Sequence, residues 1–270
     1  MKSLLIRTIT ASLILGSGFF LSAPAYSAEP VIAIIIDDIG WRKQDDLHAI
    51  DLPGAITYSI LPQTPNASIM AEKVTAKGKE VMLHIPMEAT KSNHLLGPGA
   101  LTSDMSQEEF TATLDADFES VPQAVGVNNH MGSLLTNHEL SMHRLMNGLQ
   151  RPNAPFFVDS KTINTNIPEE TAKIYGIAST KRDVFLDHEK GAEHIINQFR
   201  KLVDIAKRRG SALGIAHPHP ETTETLDYLL SNIEDYGVRL ITITEFMKYR
   251  DKSAFQWQTP SSSSLTVVKH

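Results

Sequence analysis

The sequence predicts an α/β fold, a (β/α) barrel that is distorted or incomplete, with parallel strands in seven to eight β/α units. Segments typical of strands and helices alternate about eight times between residues 30 and 250, a pattern that indicates a parallel sheet. The strands are nearly unbroken apolar runs, so we expect them to be covered on both faces. Polar side chains fall at the carboxyl ends of most strands, and these ends meet on one rim only if the sheet closes.

The elements follow in order from this alternation. The predicted strands are "VIAIIID", "AITYSI", "EVMLHI", "AVGVNN", "PFFVDS", "DVFLD", "ALGIAH" and "RLITI". Two predicted helices open with capping boxes, Ser106-x-x-Glu109 and Thr136-x-x-Glu139, because a hydroxyl and a carboxylate at this spacing satisfy backbone amides reciprocally. The other predicted helices cover about residues 42–50, 66–78, 168–175, 192–210, 221–237 and 244–250.

The two ends of the chain differ from the domain at residues 29–250. Lys2 and Arg7 precede a short apolar core at residues 8–21, followed by small residues up to 28. This pattern is typical of a secretory signal peptide at residues 1–28, and the core is shorter than the roughly 20 residues of a spanning helix. We therefore expect export, to the periplasm (cell envelope) of a Gram-negative bacterium or otherwise to the extracellular space, without stable membrane insertion after cleavage. The Ser-rich segment 251–270 is predicted to be a disordered tail.

Composition excludes several classes of function. The formal net charge is −6, whereas nucleic-acid-binding domains usually carry a basic face, so we expect no nucleic-acid partner. The chain has no cysteine, which excludes a disulfide scaffold and a thiol nucleophile.

One carboxylate and two imidazoles from three different strands predict a metal site. Asp38 ends the first strand, His84 ends the third and His130 follows the fourth. Such a set leaves coordination positions open, as in catalytic rather than structural zinc sites, so we expect a divalent metal ion, Zn²⁺. Asp37 then lies beside the metal, where a carboxylate can accept a proton from metal-bound water, and His217 after the seventh strand can protonate a leaving group.

Other strand-end residues are assigned supporting roles. Arg182, a catalytic candidate, either holds Asp37 ionised or binds substrate. Asp183, also in the catalytic group, and Asp159 can orient an imidazole or a guanidinium group. Two further candidates for contacts with the ligands or the substrate follow the sixth and seventh strands: Asp187 and His219.

Six motifs together resemble the divergent branch of the polysaccharide deacetylase (NodB-like) superfamily: "IDDIG", "LHIPME", "NNHMGS", "FFVDS", "RDVFLD" and "GIAHPHPET". The resemblance covers about residues 30–250. It implies a distorted (β/α) barrel and metal-dependent removal of acetyl groups from N-acetylated polysaccharides or oligosaccharides. It also implies that Asp37 matches the catalytic base, Asp38 the metal-binding aspartate and His217 the late catalytic histidine.

The chain departs from the common superfamily pattern at two places. Superfamily members carry two metal histidines four residues apart, whereas Glu88 stands at that spacing from His84. The Arg-Pro-Pro motif after the fourth strand is absent, and "NNHMGS" occupies its place. The third metal ligand is therefore either His130, which we expect, or Glu88.

The expected function is hydrolysis of the acetamide C–N bond by an exported enzyme. Two alternatives use the same residues. One is a catalytically decayed carbohydrate-binding or regulatory module of the cell envelope that keeps the metal site. The other is a metal hydrolase acting on esters or peptide-linked amides.

Overall fold

Strands and helices alternate along the chain in the computed structural model, which describes residues 29–151 and 156–258, with backbone alone for 252–258. The strands are β1 (Val31–Ile39), β2 (Thr57–Ile60), β3 (Glu80–Met87), β4 (Ala124–Met131), β5 (Phe156–Asp159), β6 (Ser179–Lys181), β7 (Val184–Phe185), β8 (Ser211–Ala216) and β9 (Arg239–Leu240). The helices are α1 (Lys43–Ile50), α2 (Ala67–Ala76), α3 (Gln107–Ser120), α4 (Glu139–Gly148), α5 (Ile167–Ile174), α6 (Ala192–Arg209), α7 (Pro220–Ser231) and α8 (Ile243–Gln258).

The sheet is parallel and curls into a distorted β/α barrel, which confirms the predicted fold class. Its strand order is β6-β5-β4-β3-β2-β1-β8-β7, and β9 pairs with the start of β1. The two ends of this order, β6 and β7, are consecutive in the chain and separated by Arg182 and Asp183. The amide of Arg182 bonds to the carbonyl of Asp159 on β5, and the amide of Asp183 bonds to that of Leu213 on β8. The chain itself therefore links the two ends of the sheet at this seam, although β6 and β7 do not pair with each other.

The alternation of side chains along β1 separates two apolar cores. Ile32, Ile34 and Ile36 pack with the surrounding helices in the larger core, whereas Val31, Ala33 and Ile35 pack in a smaller core. The smaller core also contains Met82, Val158, Leu213 and Phe246 of α8. Since α8 bonds to the amino-terminal residues of strands, through Thr57 and Glu80, it plugs that end of the barrel and leaves the carboxyl end open.

Two expectations about the elements need correction. The predicted sixth strand over 183–187 is reduced to β7 at Val184–Phe185, and β6 at Ser179–Lys181, on the other side of the seam, was not predicted. The predicted capping box at Thr136 is wrong: α4 is capped by His138, whose Nδ1 accepts from the amide of Ser141. The hydroxyl of Thr136 instead donates to the carbonyl of Gly132 in the preceding loop.

The chain ends are only partly described. Helix α8 continues to Gln258, past the predicted boundary at 250, so the tail expected from 251 begins within a helix. The rest of the tail and the predicted signal peptide at 1–28 lie outside the described residues. Between 29 and 258, apart from the gap at 152–155, no helix combines the length and apolar character of a membrane span.

Candidate metal centre

The polar residues of the open barrel end are placed by strand periodicity. Side chains two positions apart on a strand share a face, and in four strands a residue of the smaller core is followed two positions later by a polar residue. The pairs are Ile35 and Asp37, Met82 and His84, Val158 and Ser160, and Ile215 and His217. The interior of the barrel thus changes from apolar to polar toward its open end.

A bulge at the end of β1 brings two adjacent aspartates to the same site. Between Ile36 and Ile39, β1 advances three residues while β2 advances two, from Tyr58 to Ile60. Asp38 in this bulge has φ of 62°, a left-handed conformation that is rare for a non-glycine residue and is often found at functional sites. Asp37 keeps the interior direction, and the bulge turns Asp38 toward the same rim.

Asp38, His84 and His130 converge as three ligands of one ion would. Asp38 Oδ1 lies 3.1 Å from His84 Nε2 and 2.9 Å from His130 Nδ1, and the three ligand atoms lie within 4.8 Å of one another. Yet this oxygen is buried and has no hydrogen-bond partner of acceptable geometry. A carboxylate oxygen and two imidazole nitrogens that face one another without bonding suit a divalent ion such as Zn²⁺. These residues therefore fit the metal that the sequence predicts.

Asn128, which the sequence reasoning did not single out, joins this group to Asp37. Its Nδ2 donates to Asp37 Oδ1 at 2.8 Å, and its Oδ1 lies 2.7 Å from His84 Nδ1 and accepts from the Ser59 hydroxyl. Because Oδ1 can only accept, His84 must carry its proton on Nδ1, which leaves the Nε2 lone pair directed at Asp38. The signal was present in the sequence: Asn128 lies two positions before His130, hence on the same strand face.

His217 is oriented by Asp187 on the opposite side of the site. Asp187 Oδ1 lies 3.1 Å from His217 Nδ1, and Oδ2 accepts from the His217 amide and the Thr222 hydroxyl. The second nitrogen, Nε2, lies 3.8 Å from Asp38 Oδ2. Burial lowers the pKa of His217, but the bond to Asp187 and the nearby carboxylates outweigh it and raise the pKa to about 9. The imidazole is thus disposed to carry a proton at neutral pH.

The carboxylates and His84 influence one another strongly because they are buried together. Burial raises the pKa of Asp37, although His84, His217 and the bond from Asn128 oppose this effect. For Asp38, burial is outweighed by His130 and His84, and its pKa lies well below the ordinary value. Burial lowers the pKa of His84, but the two aspartates raise it by more.

Arg182 interacts electrostatically with the carboxylates of the site. Its guanidinium donates to the carbonyls of Ser160 and Lys161 and lies 4.4 Å from the Phe185 ring. Burial lowers the pKa of Arg182, while Asp37, Asp159 and Asp187 raise it. The side chain therefore supplies a positive charge near these carboxylates, from a position fixed by backbone carbonyls.

Asp183 and Glu88 bond outside the cluster of Asp38, His84 and His130, whereas Asp159 interacts electrostatically with Arg182. Asp183, expected among the catalytic residues, bonds instead to Arg250 and to the Leu213 amide. Glu88 Oε2 accepts from the amide and hydroxyl of Ser103, and of the two candidates for third ligand only His130 lies with Asp38 and His84. Asp159 accepts from the Lys161 amide on the helix-facing side of β5. Each of these carboxylates accepts from a backbone amide, that of Leu213, Ser103 or Lys161, and sequence spacing does not reveal these bonds.

Two neighbouring cavities lie at these residues. A chamber of about 70 Å³ lies among Asp37, His84, His130, Arg182 and His217. A wider groove of about 410 Å³ lies beside it, and Asp38, His130 and His219 reach its wall together with apolar side chains. His130 and Met131 line both cavities, so the groove and the chamber are neighbours. The chamber has room for a small reacting group, and the groove has room for a larger part of the same ligand.

Comparisons with known proteins agree with this fold. Residues 34–247 match the sequence profile of a family described as divergent polysaccharide deacetylase. An Escherichia coli K12 protein, YibQ, is 37% identical over 213 residues, covering 79% of this chain and 66% of that protein. A Haemophilus influenzae protein is 31% identical over 208 residues, covering 77% of this chain and 74% of its own length; both are described as uncharacterized.

A solved structure extends the comparison to three dimensions. The crystal structure of an uncharacterized Agrobacterium tumefaciens protein superposes with a TM-score of 0.77 at 20% identity, covering 81% of this chain and 89% of that one. At this identity the likeness concerns the fold.

Proposed function

This chain belongs to the divergent polysaccharide deacetylase family, and we propose that it removes acetyl groups from N-acetylated sugars by metal-dependent hydrolysis. The observation that carries the proposal is the position of Asp37. It is adjacent to Asp38 and 3.7 Å from His84 Nε2, yet it stands outside the Asp38, His84 and His130 group. A carboxylate beside a metal but not needed to hold it suits a general base.

The proposed roles of the side chains follow from their geometry. A divalent ion held by Asp38, His84 and His130 would supply Lewis-acid activation of water and of the acetamide carbonyl. Asn128 occupies Asp37 Oδ1, so Asp37 Oδ2 accepts the proton of the attacking water. His217, held by Asp187, delivers a proton to the departing amine nitrogen as the C–N bond breaks. Arg182, in the chamber wall, offsets the negative charge of the carboxylates.

We also propose that the protein acts after export. The support is the sequence of the first 28 residues alone, with Lys2 and Arg7 before a short apolar core. Mass spectrometry of protein from the producing cell should find a mature start between residues 26 and 29. An intact chain beginning at Met1 in the cytoplasm would contradict this part of the proposal.

Metal titration and acetate release test the proposal together. We expect about one tightly bound Zn²⁺ per chain, lost in His84→Ala and His130→Ala and kept in Glu88→Gln and in the exposed control His48→Ala. Asp37→Asn and His217→Ala should keep the metal and release acetate from N-acetylated oligosaccharides roughly 10²–10⁴-fold more slowly, the usual contribution of a general acid or base.

Two outcomes would contradict this assignment. Loss of zinc from Asp37→Asn as readily as from Asp38→Asn would make Asp37 a ligand. A zinc-loaded wild type that releases no acetate from any N-acetylated glycan would favour a binding or regulatory module built on the same site.

A further inference from the structure

Another group of imidazole and carboxylate side chains lies outside the metal centre, around the loop between β7 and α6. His188 and Glu189 lie in this loop, and His194 lies on the first turn of α6. One donor atom from each of the three side chains lies within 4.8 Å of the others. Two imidazoles and one carboxylate are a ligand set that zinc uses in proteins, with water in the remaining position.

The spacing between Glu189 and the two imidazoles suits a bound ion better than direct hydrogen bonds. Glu189 Oε1 lies 3.8 Å from His188 Nε2, and Oε2 lies 3.5 Å from His194 Nδ1. Both distances exceed the usual N–H···O range of about 2.7–3.2 Å. Two donor atoms that each lie about 2.0–2.1 Å from a tetrahedral zinc ion are roughly 3.3–3.4 Å apart. A small movement of the exposed Glu189 side chain therefore completes the coordination.

His188 makes the outer hydrogen bond that is usual for a zinc-binding histidine. Its Nδ1 lies 3.2 Å from the carbonyl oxygen of Phe185, and a carbonyl oxygen can only accept, so this bond requires the proton on Nδ1. Nε2 is then the nitrogen with a free lone pair, and it faces Glu189. Bonds of this kind orient the ring and fix the tautomer of a metal-binding histidine.

The charge around this loop favours a cation. Residues 187–194 contain three carboxylates and one ammonium group, that of Lys190. The amino terminus of α6 would repel a cation through its free amides. However, the Glu221 carboxylate accepts from the amides of Gly191 and Ala192 at this terminus. The positive end of the helix is therefore already bonded to a negative charge.

The same loop carries the residue that orients His217. Asp187, which bonds to His217 Nδ1, immediately precedes His188. The Phe185 ring lies 5.8 Å from the His188 ring and 5.3 Å from the His217 ring. An ion that joins His188 to the first turn of α6 therefore restricts the backbone beside Asp187.

We propose that His188, Glu189 and His194 bind a second divalent cation, of the zinc type, which fixes the loop between β7 and α6. Side-chain exposure is 41% for His188 and 71% for Glu189, against 2% for His84 at the metal centre. Exposed side chains lose more rotamer freedom on binding, and water weakens their attraction for the ion. The second ion therefore binds more weakly than the first. It shares no ligand with the metal centre, so the inference holds whether or not the proposed hydrolysis occurs.

Zinc titration of the full chain, without a polyhistidine tag, measures the second site. The wild type should bind one tight and one weaker zinc ion, and His84→Ala should keep only the weaker one. Adding His194→Ala or Glu189→Gln to His84→Ala should weaken the remaining ion at least tenfold, because even outer partners of metal ligands contribute that much. Glu193→Gln, which changes a neighbouring carboxylate outside the group, is the matched control and should leave both ions unchanged.

Proteolysis detects the fixed loop without an assay of activity. Lys190 is exposed in the loop and precedes Gly191, so trypsin can cut after it when the loop opens locally. Zinc at ten times the Kd of the weaker site should slow this cut about tenfold, because an ion that binds only the closed loop reduces opening by a factor of 1 + [L]/Kd. In His194→Ala the same zinc concentration should have no effect on the cut.

Several outcomes would overturn the second site. A wild type that binds a single zinc ion would do so, as would a weaker ion that binds equally well after His194→Ala and after Glu189→Gln. Loss of the weaker ion in His219→Ala would assign it to the group of Asp187, His217 and His219 instead. Equal slowing of the cut by zinc in the wild type and in His194→Ala would show that zinc does not act through this loop.

Discussion

At the scale of single residues, Asn128 couples the candidate base to a candidate ligand. It is fully buried, bonds Asp37 on one side and sets the tautomer of His84 on the other. Outer partners of metal ligands typically contribute tenfold to a hundredfold to metal affinity or activity. Asn128 is thus a positioning residue whose effect should be visible in metal binding itself.

Replacement of Asn128 gives the first prediction. Asn128→Ala should weaken zinc affinity roughly 10–100-fold, because His84 loses the acceptor that keeps its proton on Nδ1. Calorimetry measures the affinity, and ¹⁵N spectra of the histidines should show a change of tautomer at His84. The exposed control Asn197→Ala on α6 should change neither. Unaltered zinc affinity together with an unaltered tautomer would disprove the positioning role.

Asp117 gives a prediction about pH. It is buried on α3, its Oδ1 accepts from Gln63, and its Oδ2 has no partner. Burial raises its pKa to about 8, whereas an unfolded chain has about 3.9. Between these values the folded state holds a proton that the unfolded state releases, so this carboxyl makes the protein less stable as pH rises from about 4 to 8.

Asp117→Asn removes this titration. The advantage of the variant over the wild type in free energy of unfolding should be about 4 kcal/mol larger at pH 9 than at pH 5, because the wild type loses about 1.4 kcal/mol per pH unit over the roughly three units between pH 5 and its folded-state pKa. Urea unfolding at both pH values measures the difference. Asp227→Asn, an exposed substitution on α7, should show no such gain. An equal difference between variant and wild type at both pH values would mean that Asp117 is ionised in the folded protein.

At the scale of elements, the carboxyl end of β1 determines which side chains reach the candidate metal centre. The bulge in β1 places the carboxylates of Asp37 and Asp38 at the same rim of the barrel, whereas a regular strand would point adjacent side chains to opposite faces.

The predicted capping box of α3 is confirmed: the Ser106 hydroxyl accepts from the Glu109 amide, and the Glu109 carboxylate accepts from the Ser106 amide. This helix also carries Phe110 and Leu114, which are buried in the larger core. The capping box therefore stabilises the first turn of a helix that packs in that core.

Ser106→Ala tests the capping box. It should lower the free energy of unfolding by about 1 kcal/mol, because the Glu109 amide loses its acceptor at the helix start. Ser68→Ala, an exposed substitution within α2, is the matched control and should cost nothing or stabilise slightly, since alanine favours helix. Equal unfolding midpoints for the two variants in urea would show that the box adds no stability.

At the scale of the whole molecule, the barrel depends on its seam between β6 and β7. Arg250 of α8 bonds there to Thr180, Asp183 and Ser211 and lies 4.5 Å from the Phe246 ring. One side chain thus links β6, the seam and β8 to the helix that plugs the barrel. Asp183 therefore supports the fold at the end of the barrel opposite the metal centre.

Arg250→Met should weaken this closure. It keeps an apolar stem against Phe246 but leaves the partly buried Asp183 carboxylate with one charge-assisted bond fewer, so we expect a loss of roughly 1.5–3 kcal/mol in free energy of unfolding. Arg200→Met, an exposed substitution on α6, should stay within about 0.5 kcal/mol of the wild type. The zinc affinity should not change, because Arg250 lies at the other end of the strands. A fall in zinc affinity without loss of stability would contradict the separation of seam and site.

The sequence by itself determined the parallel β/α barrel and the placement of Asp37, Asp38, His84, His130 and His217 at strand ends. These features depend on local periodicity, since apolar runs specify strands and parallel strands share one rim. Only the tertiary structure decided that His130 stands with Asp38 and His84 while Glu88 binds Ser103, that Asp183 belongs to the seam, and that Asn128 joins base and ligand. Those outcomes depend on contacts between residues far apart in the chain, such as the 91 positions between Asp37 and Asn128, and on a one-residue bulge. No local sequence pattern encodes the long-range contacts or the bulge. A carboxylate can bind a metal, an amide or an arginine, and the residues near it in the folded protein decide which of these it binds.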